Sequence, residues 1–128
     1  MSRLLNDLNP EFRNRVYVFL AKLVEANIPI TIIDTLRTQE EHEANLLKGV
    51  SWTKHSKHLD GLAIDICPYS IFNENGPDKL NWDATAQVWD KIGSIGESVG
   101  LVWGGRWKQK DMGHFEMPRE AAPKQVEV

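Results

Sequence analysis

The 128-residue chain holds a single cysteine, Cys67, so no disulfide can form within it. That excludes a disulfide framework and suits a reducing compartment. It also has no apolar run near the ~20 residues that cross a bilayer, and Met1 to Phe12 lacks the basic-then-apolar plan of a secretory signal. No stable membrane association is expected. Blocks of like charge are missing too: acids and bases are interspersed around a formal net charge of −3. Without a basic stripe to track a phosphate backbone, no nucleic-acid partner is expected. There is no internal repeat and no low-complexity segment. The length supports one hydrophobic core and is too short for two, which points to a single domain acting as a monomer.

What is present is clearly punctuated. Asn9, Pro10 and Glu11 supply a helix cap, a first-turn proline and a first-turn acid; Phe12, Val16, Phe19, Leu20, Leu23 and Val24 then recur at helical spacing. This predicts a helix over residues 10 to 26 with one buried stripe. Pro29 blocks its continuation, and the β-branched run ITIIDT, residues 30 to 35, predicts a buried strand. Thr38 and Glu41 form a capping-box pattern for a short helix through Leu47 that Gly49 ends. LAIDI, residues 62 to 66, predicts a second strand entered through a turn at Asp60 and Gly61. Pro68, Asn73, Asn75, Gly76, Pro77 and Asp78 mark residues 67 to 83 as a long loop.

With Asp83 as a cap, Val88, Trp89, Ile92, Ile95 and Val99 line one face of a helix that Gly100 ends, while Gly93 and Gly96 would let another element approach closely. LVW at 101–103 and HFEM at 114–117 predict short strands around a glycine-rich, charged loop. Helices mixed with short strands, without the regular alternation of a parallel sheet, indicate an α+β fold. Most of the tryptophans, at 52, 82, 89, 103 and 107, are expected in the core or in cleft walls.

Asp65 raises the question of chemistry. It stands between Ile64 and Ile66 in a strand, where an unpaired charge costs several kcal/mol. A cation would resolve the conflict. A catalytic zinc takes three protein ligands and leaves a position open, and His58, Asp65 and His114 offer such a set. Alternate strand side chains share a face, so Ala63 and Asp65 point one way and Leu62, Ile64 and Ile66 the other. The competing reading is structural: Asp65 could accept loop amides or pair with an arginine, and a lone histidine is more often solvated or core than a ligand. His-x6-Asp with a distant histidine is not a self-sufficient signature. His42 sits among glutamates on the exposed side of its helix, and His55 would share a face with His58 only in a helix.

Other residues gather around that set. Asp111, three positions before His114, could take a proton from a water that the metal activates and pass it to the leaving amine, or could merely balance Lys108 and Lys110. Arg37 follows a strand and precedes a helix cap; its guanidinium could hold a substrate carbonyl or a developing oxyanion, with Gln39 helping, or form an ordinary salt bridge. Ser56 could bond substrate or cap a loop. Glu116 would lie on the same side as His114 and partner an imidazole N–H. Trp103, Trp107 and the loop at 104–110 could line a cleft, although core packing is the safer reading for Trp103.

Taken together, Arg37 with Gln39, Ser56-x-His58-x-x-Gly61-x-Ala63-x-Asp65, Trp103-Gly104-Gly105 and Asp111-x-x-His114-Phe115-Glu116 resemble the zinc peptidases of the D-Ala-D-Ala carboxypeptidase and dipeptidase group. Within it the pattern is most similar to the L-alanyl-D-glutamate endopeptidases, which include bacteriophage endolysins; Asp111 resembles that branch, where much of the wider group has Glu. The resemblance implies an α+β domain over residues 1–117, with a small, mainly antiparallel sheet and flanking helices, followed by a flexible tail at 118–128. It implies Zn2+ on His58, Asp65 and His114, Asp111 as general base, and Arg37, Gln39, Ser56 and Trp103 toward substrate. The implied reaction is hydrolysis of the L-Ala–D-Glu bond in the peptidoglycan stem peptide. The implied setting is a phage lysis enzyme made in the host cytoplasm and released to the wall by a separate membrane-permeabilising protein. Two alternatives are a D-Ala-D-Ala carboxypeptidase or dipeptidase on the same scaffold and a non-catalytic, zinc-stabilised wall-binding module.

Overall fold

A computed structural model describes residues 2–36, 57–71, 79–83 and 85–119. The helix expected at 38–47 lies outside the described residues, as do Arg37, Gln39, His42, Trp52, His55 and Ser56.

Helix α1 spans Pro10–Glu25, and the Asn9 side chain accepts the backbone N–H groups of Glu11 and Phe12. That satisfies donors a helix start otherwise leaves orphaned. Phe12, Val16, Phe19 and Leu23 form its buried stripe. Val24, expected in the stripe, is 74 % exposed. One further residue turns the helix by about 100°, which carries Val24 off the face that Leu23 occupies.

Strands β1 (Ile30–Asp34), β2 (Ala63–Ile71), β3 (Lys79–Leu80), β4 (Val102–Trp103) and β5 (His114–Glu116) pair antiparallel in the order β1-β2-β5-β4, with β3 joined to the far end of β2. Much of the loop expected at 67–83 is therefore strand. Cys67 to Ile71 continue β2, and Pro68 is tolerated because its carbonyl is what the pairing uses: it accepts the Asn81 N–H. The second helix, α2, spans Gln87–Ser98 and starts later than expected. Asp83 does not cap it; its carboxylate accepts the N–H and hydroxyl of Thr85 in a local turn, and Ala86 precedes the helix with no side-chain cap.

Register divides the sheet into two faces. Ile64 and Trp103 both pair with Phe115, placing these three toward the helices, where they join Phe12, Phe19, Trp89 and Ile92 in one core. Each such large side chain contributes ~1.5–3 kcal/mol on burial. Asp65 pairs with His114 and Ala63 with Glu116, so these residues occupy the opposite face. The α2 side fits closely because of Gly93: a Cβ there would lie 2.3 Å from the Trp103 ring. Trp82 is 57 % exposed, with its ring stacked on buried Trp89. No helix among the described residues is long and apolar enough to cross a membrane.

Gly93→Ala should therefore lower the urea midpoint, by about 1–3 kcal/mol of stability. The exposed Ser94→Ala change on the same helix serves as the control. Equal midpoints for the two variants would refute the packing of Trp103 against Gly93.

Candidate metal centre

Each member of the His58, Asp65 and His114 cluster is positioned by a different element. A 3-10 turn, Lys57–Asp60, delivers His58 just before β2. Gly61 closes that turn at φ +68°, a conformation glycine adopts without a Cβ penalty, and its carbonyl accepts the Asn9 N–H at the start of α1. Asp65 is the third residue of β2, and His114, the first of β5, is its cross-strand partner. The imidazoles are buried, His58 at 2 % and His114 at 7 % exposure. One ligand atom from each of the three residues lies within 4.8 Å of the others.

Hydrogen bonds on the outer nitrogens determine which atoms face the centre. His58 Nδ1 lies 3.0 Å from the Thr35 carbonyl, and a carbonyl can only accept, so Nδ1 carries the proton. Nε2, 3.3 Å from Asp65 Oδ2, is therefore the ring nitrogen that faces the centre. His114 lies in the opposite sense: Nδ1 is 3.0 Å from Asp65 Oδ1, and Nε2 is 2.9 Å from Glu116 Oε1. The two rings meet edge to face, 5.2 Å between centroids.

The electrostatics follow from that geometry. Burial pushes the Asp65 carboxyl up, but hydrogen bonds from His114 and His58 and their positive charge outweigh it, holding Asp65 far below the usual carboxylate range. Burial lowers the His114 pKa; hydrogen bonds to Asp65 and Glu116, with the charges of Asp65 and Asp111, overcome this and raise it to about 9. Without a metal, His114 is thus an imidazolium at neutral pH, donating to a carboxylate from each nitrogen. Two imidazole nitrogens and one carboxylate oxygen, the far nitrogens held by Thr35 and Glu116, are a donor set that fits a divalent cation of the zinc type.

Asp111 is half-buried on the turn before β5. Its N–H donates to the Gly104 carbonyl at 3.0 Å and its own carbonyl accepts the His114 N–H at 3.2 Å. Its carboxylate is near enough to His114 to raise that pKa by charge. Trp103, expected to contact substrate, is 3 % exposed and donates its indole N–H to the Met112 carbonyl at 2.8 Å. Its ring is committed to the core and to the 104–112 loop rather than to a surface a peptide could reach. Thr35 had no sequence signal, because any residue offers a carbonyl. Buried Cys67 lies on the cluster's face of β2; burial raises its thiol pKa to about 11, so it is a packing residue here.

A family model described as D-alanyl-D-alanine carboxypeptidase matches residues 49–117. The chain belongs to that family. Over 81 residues it is 33% identical to the L-alanyl-D-glutamate peptidase of Listeria phage A118, a match covering 62% of this chain and 27% of that protein. The chain thus aligns with little more than a quarter of the length of this curated relative. The crystal structure of the Serratia marcescens L-Ala D-Glu endopeptidase ChiX superposes with a TM-score of 0.66 at 25% identity, covering 91% of this chain and 84% of that one. This family member shares the α+β architecture of ChiX.

The donor set and its linkage lead to two expected outcomes. Removing metal with a chelator should lower the melting temperature, because the ion would join residues 58, 65 and 114 only in the folded chain. Loading metal at pH 7 should release about one proton, from His114 Nδ1, read by calorimetry in buffers of different ionisation enthalpy. The sign is fixed by the shifts: the His114 contribution to metal-free stability is complete below its ordinary 6.5 and fades as pH rises through about 9. That of Asp65 is complete above its ordinary 3.8 and fades as pH falls toward its lowered value. A buffer-independent binding heat would show His114 already neutral.

Proposed function

We propose that this protein is a zinc-dependent peptidoglycan endopeptidase that hydrolyses the L-Ala–D-Glu bond of the stem peptide. The observation that carries the proposal is the convergence of His58, Asp65 and His114, with the far nitrogen of each imidazole already occupied. The A118 and ChiX likenesses support the choice of bond, and the phage source of the first supports a lytic role. On this reading residues 1–117 form the catalytic domain, 118–128 are a tail outside it, and a separate membrane-permeabilising protein gives access to the wall.

When bound, zinc supplies Lewis acidity at the scissile carbonyl and lowers the pKa of water. The rest falls to the chain. Asp111 accepts a proton from the attacking water and returns it to the amine nitrogen as the C–N bond breaks. Arg37 offsets the oxyanion charge that develops on the carbonyl oxygen, and Gln39 and Ser56 serve substrate binding. Glu116 holds the His114 Nε2 proton, which fixes the tautomer that turns Nδ1 inward. Glu116→Gln should weaken metal affinity by about 10- to 100-fold.

Mass analysis of purified stem peptide after digestion tests the assignment. Fragments ending in L-Ala and beginning with D-Glu are expected, while release of free D-Ala alone would establish carboxypeptidase action instead. Asp111→Asn should keep its metal and lose about 10²- to 10⁴-fold in kcat. A parent as inactive as this variant, with metal still bound, would favour a binding module.

A further inference from the structure

His58 is seated by two pieces of backbone that are distant in sequence. One is the Thr35 carbonyl, 3.0 Å from His58 Nδ1 and 23 positions away in the chain. The other is the turn Lys57–Asp60, which Gly61 closes. The segment from Ser2 to Asn9 supplies no metal donor, yet it is bonded to both pieces.

At one end, the Ser2 N–H donates to the Leu36 carbonyl at 3.0 Å and the Ser2 carbonyl accepts the Thr35 N–H at 2.8 Å. These two bonds bracket the Thr35 carbonyl that faces His58. Arg3 adds a third, from Nε to the Ile33 carbonyl at 3.3 Å, where the pairing of β1 with β2 shifts register. At the other end, the Asn9 N–H donates to the Gly61 carbonyl at 3.0 Å. The approach there is close, since a Cβ on Gly61 would lie 2.9 Å from the Asn9 nitrogen and 3.2 Å from the Asp7 carbonyl oxygen.

Between these ends the segment is braced. Leu5–Asp7 form a 3-10 turn, the Ser2 hydroxyl donates to the Asp7 carboxylate and accepts the Leu4 N–H, and Leu8 is buried in the core. A short, internally bonded piece of chain thus sets the spacing between the Thr35 carbonyl and the Gly61 turn. That spacing decides where His58 Nε2 stands relative to Asp65, and a donor set held in place before the ion arrives binds it more tightly.

We propose that the segment Ser2–Asn9 is a positioning strap for the metal centre, with Ser2 and Asn9 as the positioning residues that seat His58 through Thr35 and Gly61. The inference rests on the zinc reading of the site and is independent of which bond is cut. Because coupling is reciprocal, the strap tightens the ion and the ion tightens the strap.

The test measures zinc affinity, by competition with a chromophoric chelator, for the parent, a Gly-Gly insertion between Leu4 and Leu5, and Gly93→Ala. The insertion keeps every residue but uncouples the Ser2 end from the Asn9 end, and should weaken affinity by about tenfold, as loss of an outer partner of a ligating histidine does. Gly93→Ala loosens the core from the helix side and should stay within about twofold of the parent, as a site remote from the donors should. Amide exchange on the unaltered chain reads the same coupling even if the insertion prevents folding. Zinc should slow exchange of the Thr35 and Asn9 N–H groups by about tenfold more than that of the Gly100 N–H, which the Glu97 carbonyl holds after α2. Parent-like affinity in the insertion, an equal loss in Gly93→Ala, or uniform slowing of all three amides overturns the inference alone. A parent that binds no zinc overturns the metal reading as well.

Discussion

A carboxylate held between two imidazoles governs this fold's polar face. Asp65 is surrounded by residues that penalise its charge, and His58 and His114 more than offset that penalty. For both to reach it, the turn before β2 must fold back against the end of β1, and β5 must pair with β2 in one register. The helices serve that arrangement from the other side, since Phe115 is buried by the same strand that presents His114 and Glu116. Site and core are therefore two faces of the same few residues.

Much of this was legible in the residues themselves. Asn9-Pro10-Glu11 announced α1, and the alternation in LAIDI separated Asp65 from Ile64 and Ile66 before any neighbour was known. Residues 67–71 read as loop because proline and the polar residues after it imitate one, whereas the pairing of β2 with β1 and β3 overrides local preference. Val24 misled by composition: it is apolar, but lies one residue beyond the stripe. The Thr35 carbonyl and the Gly104 carbonyl were invisible for a different reason. Backbone acceptors carry no residue identity, so their roles emerge only when the chain has been placed in space.

The loop from Gly104 to Gly113 shows how a short connection can hold chemistry without much secondary structure. Trp103 reaches across to the Met112 carbonyl, Gly104 accepts two N–H groups, and Arg106 fastens the turn to α2. These contacts hold the Asp111 backbone in place just before His114. On the proposed mechanism, a fixed backbone sets where the Asp111 carboxylate meets water before substrate binds.

The pairing of Asp65 with His114 has a consequence for how the chain reaches this state. In an antiparallel ladder a slip of one residue would set Ile66 where the carboxylate belongs and turn Asp65 toward Phe115. Such a misaligned chain would lose its core and its donor set together, and no ion could hold it. An ion bound at this cluster would thus favour the aligned chain, because only that register presents all three donors together.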